Sequence, residues 1–371
     1  MKKLLVAAAA ATALLLAGCS TGAAESPSSA PVAASAGAAT TAAVDAALSG
    51  GGGVPPVVQP VEVRQLVHDT LKGKNIAFVP ILYKGFKITE EWGKQMESVF
   101  GNLGANFQVY DSNFDTDQMV KTINDLIANK KADVLILHNP DLNVLTQQIK
   151  DAQAAGIYVV VLNMISNQSG DAFIGADLVS AAQDITTRAA ADCKAAGKTK
   201  IALINGPSTD PWNVLYQTGV KNVADAQGLE IVDVTDSKWQ ADLANQQAAT
   251  LLQQHGKDLC ALMLPWDVIA IPASQAVKKA EQAGTIAPGS VGVYSIDSSI
   301  DGCNAIKNGD IRASVAYDQT AIGAGAALAT QQLLELGNKP GSQRTVSFVP
   351  HTLIDKNNLD KVTYACYTGK S

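Results

Sequence analysis

From Lys74 onward, short runs of β-favouring apolar residues alternate with stretches whose apolar residues recur at helical spacing, and few architectures accommodate that alternation. The runs are Ile76-Ala77-Phe78-Val79, Phe107-Gln108-Val109-Tyr110, Val134-Leu135-Ile136-Leu137 and Tyr158-Val159-Val160-Val161-Leu162. Most are continuously apolar rather than alternating, the signature of strands covered on both faces. Residues 91–101 and 118–128 supply helices between them. Successive βα units imply a parallel sheet with helices on both faces.

The pattern then begins again. Lys200-Ile201-Ala202-Leu203-Ile204-Asn205 opens like Lys74-Asn75-Ile76-Ala77-Phe78-Val79, and Ile231-Val232-Asp233-Val234 follows Gly228 much as Val109-Tyr110 follows Gly104. Residues 258–267 echo 133–141 with one residue inserted. A weak repeat of roughly 125 residues predicts two similar doubly wound α/β lobes, with further strands at 291–296, 313–316 and 346–349. A length of 371 residues and 47% hydrophobic content suit two such cores. The net charge of −6 argues against a nucleic-acid binder, which needs a basic face. His68, His138, His255 and His351 are too scattered for metal-ligand spacing, and no cofactor is expected.

The first residues have a different character. Met1-Lys2-Lys3 is followed by an apolar run from Leu4 to Ala17, broken only by Thr12, and the run ends in Leu16-Ala17-Gly18-Cys19. It is short for a membrane span and reads as a secretion signal. Its ending resembles the bacterial lipobox, which implies cleavage after residue 18 and a diacylglycerol on Cys19, an anchor with two acyl chains. Residues 19–73 then read as a tether, rich in Ala, Ser, Gly and Pro up to about Pro60, with too little apolar patterning to pack. The folded body is thereby expected outside the cytoplasmic membrane, in the periplasm or at the cell surface.

In doubly wound sheets ligands bind beyond the carboxyl ends of the strands, so two facing lobes create a cleft between two sets of loops. The residues following each strand are Tyr83, Lys84 and Phe86; Asn139; Asn163 and Met164; Trp212 and Asn213; Trp239; Trp266 and Asp267; Asp297; and Tyr317. Of the four tryptophans, Trp212, Trp239 and Trp266 all fall in such loops, which core packing alone does not predict.

Catalytic signatures fail on inspection. Asp192 occupies the first glycine position of the P-loop-like run that ends Gly197-Lys198-Thr199, and that run closes a helix. Gly323-Ala324-Gly325-Ala326-Ala327-Leu328 lacks the last glycine of a dinucleotide fingerprint and lies within a helix, where small residues permit close packing. Gly206-Pro207-Ser208-Thr209-Asp210 lacks the closing glycine of a nucleophile elbow. No enzyme is expected.

Together these features resemble the type I solute-binding proteins of ABC importers, in particular the ribose- and galactose-binding cluster. The resemblance runs from about Lys74 to Asp355 and is carried by residues 85–93, 295–302 and 305–316. It implies a monomeric receptor whose three-crossover hinge lets it close on a small sugar or polyol and pass it to an ABC permease. Position by position, Phe86 and Trp239 fall on sugar-stacking aromatics, Asp297 on a carboxylate that takes sugar hydroxyls, and Tyr317 on an amide position. Asn163-Met164 replaces an Asp-Arg pair, Trp266 replaces an amide, and Lys84 replaces another. Those departures favour a less polar ligand: a polyol, a deoxy or methylated sugar, or a small aromatic compound. A sensor domain for a membrane receptor and an extracytoplasmic enzyme are the competing readings.

Under this reading, residues 74–176 plus 318–349 form the N-terminal lobe, and 177–317 plus 350–371 form the C-terminal lobe. Cys193, Cys260, Cys303 and Cys366 all map to the second lobe or its tail. In an oxidising compartment they admit three full pairings. Cys193 and Cys260 lie at the pole far from the cleft and Cys303 on the cleft side, so Cys193–Cys260 and Cys303–Cys366 are preferred over free buried thiols.

Overall fold

The computed structural model describes residues 60–366. The signal sequence, Cys19 and most of the expected tether lie outside the described residues. The folded part begins earlier than expected, because Pro60–Leu71 forms a helix, α1. Leu71 is fully buried and Val67, four residues before it, packs against the same apolar cluster, which gives this helix a docked stripe.

The elements that follow are β1 (Asn75–Pro80), α2 (Lys87–Asn102), β2 (Asn106–Val109), α3 (Thr116–Ala128), β3 (Val134–His138), α4 (Thr146–Ala154), β4 (Tyr158–Leu162) and β5 (Ala172–Ala176). The second series is α5 (Leu178–Ala195), β6 (Lys200–Asn205), α6 (Pro211–Gln227), β7 (Glu230–Asp236), α7 (Ala241–His255), β8 (Leu259–Met263), α8 (Asp267–Gln282), β9 (Gly292–Asp297), α9 (Ile300–Asn308) and β10 (Ala313–Tyr317). The chain ends through α10 (Thr320–Leu336), β11 (Thr345–Val349), β12 (His351–Ile354) and a 3-10 turn at Leu359–Lys361. Strands β6, β7 and β8 begin about 125 residues after β1, β2 and β3, the spacing of the sequence repeat.

Two six-stranded sheets result, ordered β11-β5-β4-β3-β1-β2 and β12-β10-β9-β8-β6-β7. The first is parallel throughout, with Ile76 opposite Val134 and Val134 opposite Tyr158. The second is parallel except for its edge, where β12 runs antiparallel to β10. The chain passes between the sheets three times: after β5, after β10 and after β11. Helix α10 returns to pack on α2, while α5 packs on α6. Two strands escape the sequence reading. Ala172-Phe173-Ile174-Gly175-Ala176 has too little bulk to stand out, and Gly175 is required because a Cβ there would lie 2.6 Å from the Asn163 Cα. His351-Thr352-Leu353-Ile354 follows β11 across a single proline and gives no separate signal.

Apolar clusters fill both lobes. One around Leu135, Ile123 and Ile149 lies beneath α3 and α4, and another around Leu262, Leu251 and Ile269 beneath α7 and α8. A third runs from Trp92 and Phe78 through Ala176, Trp212 and Tyr317 to Tyr294, joining the two sheets at their connections. The small residues of α10 serve close packing, as the sequence suggested, though partly against a helix. A Cβ on Gly323 would lie 2.9 Å from the Trp92 Cα, and one on Gly325 would lie 3.0 Å from Ile174. Disulfides join Cys193 to Cys260 and Cys303 to Cys366. Among the described residues no helix is long and apolar enough to cross a membrane, and no cluster of metal-ligating side chains occurs.

Candidate functional site

The carboxyl ends of the parallel strands in both sheets bring their loops into contact. The Leu142 N–H, after β3, donates to the Thr209 carbonyl, after β6, at 3.1 Å. The Phe86 ring of the first lobe meets the Trp266 ring of the second at 6.4 Å between centroids and 86° between planes. Trp239 in turn lies 5.8 Å from Trp266 at 82°. Three rings drawn from both lobes therefore meet edge to face, an arrangement the ring quadrupoles favour.

Local folding explains why the rings stand there. Phe86 immediately precedes α2, whose first turn is held by Thr89, buried and donating to the Leu82 and Phe86 carbonyls. Trp239 has φ 61°, in a turn closed by Lys238 N–H donating to Asp236. Its ring packs against Gly206, where any Cβ would overlap the indole at 2.1 Å. Trp266 immediately precedes α8 and has no cap of its own.

Each of these two indoles donates its N–H to a carboxylate. Trp266 Nε1 reaches Asp297 Oδ2 at 2.8 Å, and Trp239 Nε1 reaches Asp210 Oδ2 at 3.0 Å. Asp210 also caps α6 by accepting from the Trp212 and Asn213 amides, with Pro211 pre-set at the first helical position. Burial pushes its carboxyl up to about 6 against these hydrogen bonds, and Asp141 from the first lobe adds to the rise. Asp267 is fully buried, accepts from the Ser299 amide at 2.7 Å and hydroxyl at 2.5 Å, and interacts with Asp297. Burial raises its pKa as well.

Asp297 ends β9 with φ 116° and Ser298 follows at φ 67°, a strained pair for residues other than glycine. The other oxygen of Asp297 accepts from Gln319 Nε2. Gln319 begins the passage back to the first lobe, and its carbonyl accepts from Trp92 Nε1 at 2.8 Å. It thus couples α2, the second crossover and the Asp297 carboxylate. Sequence reading missed it because it stands two residues beyond the strand and in no motif. Its one signal was its place just after the hinge strand.

The remaining expected residues divide. Asn163, at φ 57°, accepts from the Ala176 amide at 3.1 Å and donates to the Tyr317 hydroxyl at 3.4 Å, so it ties β4 to β5 and to the hinge. Tyr317 is buried on Trp212 at 5.6 Å, and burial, then Asp297, raises its hydroxyl pKa. Trp212 donates to the Pro265 carbonyl and is largely buried. Met164 packs on the cluster shared by both lobes. Asn139 donates to the Ile165 carbonyl at 2.6 Å and Asn213 to the Gly206 and Pro207 carbonyls, which leaves the Oδ1 atoms of both buried without a partner. Both amide atoms of Asn205, at the end of β6, are likewise buried and unpaired.

Two expected residues stand outside this group. The Tyr83 ring packs on Gly93 of α2 and meets Phe78 edge on, so it belongs to the first lobe's packing. Lys84 is exposed, with only its amide held by Asp111. A groove of about 570 Å³ lies at the opposite pole of the second lobe, lined by Arg188, Asp192, Arg312 and Asp355. Its Arg188 is already paired, with Asp355 at 2.8 Å and Asp192 at 3.2 Å. The rings and unpaired polar atoms make the strand-end cleft the better candidate for a ligand.

Comparison with known proteins agrees with this architecture. Over 179 residues the chain is 27% identical to the D-ribose/D-allose-binding protein of Pseudomonas aeruginosa, covering 46% of this chain and 55% of that one. The match therefore spans about half of that relative's length. Over 252 residues it is 24% identical to the xylitol-binding protein of Mycolicibacterium smegmatis, covering 65% and 67%. Among solved structures, a periplasmic ribose ABC transporter protein from Conexibacter woesei superposes with a TM-score of 0.68 at 22% identity, covering 78% of this chain and 95% of that one. The profile described as periplasmic binding protein domain matches residues 76–339, and with it the chain belongs to the periplasmic binding protein family.

Proposed function

We propose that this protein is an extracytoplasmic receptor that binds a small sugar or polyol between its lobes and delivers it to an ABC importer, performing no chemistry on it. In this reading Cys19 carries the lipid anchor, the receptor acts as a monomer, and the lobes comprise residues 74–176 plus 318–349 and 177–317 plus 350–371. The carrying observation is the meeting of Phe86 and Trp266, from opposite lobes, beside the carboxylate of Asp297. Ring faces suit the C–H surfaces of sugars, and carboxylate and amide oxygens suit their hydroxyls. The names of the two curated relatives, one binding ribose and allose and the other xylitol, support the ligand class. Phe86, Trp239 and Trp266 are assigned to the apolar faces, and Asp297, Asn139 and Asn213 to the hydroxyls. Asn163 and Tyr317 line the hinge side.

Thermal denaturation of the purified protein with ribose, allose, xylitol and inositol tests this. A true ligand at a hundred times its Kd should stabilise the fold by about 2.7 kcal/mol. A panel with no concentration-dependent shift, or a ligand that is consumed, contradicts the reading. Replacing Cys19 by Ala should release the protein from the membrane fraction of its host, and unchanged fractionation would remove the anchor.

A further inference from the structure

We propose that the cleft prefers a hydroxylated ligand carrying a positive charge, an amino sugar or aminocyclitol, over its neutral counterpart; this rests on the receptor reading above. Most of the unpaired polar atoms around the three rings are acceptors, Asn205 being the exception in that its Nδ2 is unpaired as well as its Oδ1. Trp239 and Trp266 could have donated to a ligand, but both indole N–H groups are committed to Asp210 and Asp297. An indole whose N–H is held by a carboxylate has a more electron-rich face, which strengthens its attraction for a cation. Phe86 and Trp239 each stand nearly perpendicular to Trp266, at 86° and 82°, so an ammonium group beside this cluster meets ring faces of more than one orientation.

The amide groups agree, and their orientation is fixed by their partners. Asn213 gives its NH₂ to two carbonyls and Gln319 gives its NH₂ to Asp297, so the outstanding atoms are Asn213 Oδ1 and Gln319 Oε1. These residues are 1% and 3% exposed. A buried acceptor without a donor is costly, and a donor-rich ligand removes that cost. Carboxylates also stand close by: Asp141 acts on Asp210, while Asp297 and Asp267 act on Tyr317. A neutral sugar supplies the donors and C–H surface for the rings but leaves these carboxylates without a counter-charge, whereas an ammonium group supplies one and adds its attraction for the ring faces.

Calorimetry at pH 6.5 with glucose and glucosamine, galactose and galactosamine, and inositol and an inosamine separates the two. The amino member of at least one pair should bind about tenfold more tightly, or 1.4 kcal/mol, within the range of a desolvated cation–π contact. Trp239→Leu and Asp210→Asn should each bring that ratio toward one. Neutral members binding equally or better in every pair would overturn the charge preference and leave the receptor reading standing, as would a ratio indifferent to both substitutions. Absence of binding by all six compounds would overturn the charge preference, and the receptor reading would fall with it only if ribose, allose and xylitol also failed to bind.

Discussion

The two lobes share a fold but equip their cleft loops differently. The first contributes one ring, Phe86, neutral amides at Asn139 and Asn163, and a single carboxylate, Asp141. The second contributes Trp212, Trp239 and Trp266 together with Asp210, Asp267 and Asp297. Both disulfides also lie in the second lobe and its tail, and the backbone there is held at φ 116° and 67° at Asp297 and Ser298. Strain of that kind costs about 1–3 kcal/mol per residue and persists only where the surroundings enforce it. Under the proposed function the contrast assigns a division of labour: the second lobe is a pre-set platform that chooses the ligand, and the first is the cover that closes on it.

The disulfides offer the largest test. Each closes a loop of similar length, with sequence separations of 67 and 63, so opening either should cost about 4 kcal/mol. Only one reaches the site, because the Cys366 N–H donates to the Ser298 carbonyl at 3.0 Å. Replacing Cys303 and Cys366 by Ser should lower both melting temperature and ligand affinity. The same change at Cys193 and Cys260 should lower melting temperature alone. Equal affinity losses in the two variants would contradict a platform braced by its tail.

Titration sets the lobes against each other. Burial holds His138, at the end of β3 against the Trp92 ring, down from 6.5 to about 4, so its contribution to stability is present above pH 6.5 and is lost as pH falls toward 4. Burial pushes Asp210 from 3.8 up to about 6, so the folded state binds this proton more tightly than the unfolded chain does. Its contribution is therefore fully present at low pH and lost as pH rises through about 6. Each amounts to about 3 kcal/mol, and between pH 4 and 6 they oppose each other. Relative to the parent, the stability of His138→Gln should fall with rising pH and that of Asp210→Asn should rise. A variant with the parent's slope would show that the group does not titrate as described.

Smaller effects follow within the cleft. Asp297→Ala should weaken ligand binding by roughly ten- to a hundred-fold, measured by calorimetry. It should also lower the melting temperature, since Asp297 is 3% exposed and its loss strands the Trp266 and Gln319 donors. Phe86→Ala, on the covering lobe, should weaken binding by only about three- to tenfold, in line with the loss of one aromatic contact. A greater loss from Phe86→Ala than from Asp297→Ala would reverse the division of labour.

Much of this was legible in the sequence because the physics was local. A strand covered on both faces must be continuously apolar, so Val134–His138 and Tyr158–Leu162 declared themselves, and a repeated βα pattern declared two lobes. Trp239 and Trp266 lie in the strand-end loops where the sequence put them, whereas Trp212 falls inside α6 and is largely buried. What stayed hidden depended on contacts distant in sequence. That Trp266, rather than Trp239, meets Phe86 follows from how the lobes approach, and Gln319 matters through Trp92, 227 residues away. Tyr83 stood at a promising position after β1, but its ring lies over Gly93, half-buried against the first lobe's core.

Hydrogen–deuterium exchange of the whole protein with and without a saturating ligand from the sugar and polyol panel tests the central claim most directly. A ligand held between the lobes slows exchange at the strand-end loops of both, around Phe86 and Asn139 in one and around Trp239, Trp266 and Asp297 in the other. Protection confined to one lobe, or centred on the groove at Arg188 and Arg312, would contradict a ligand held between them.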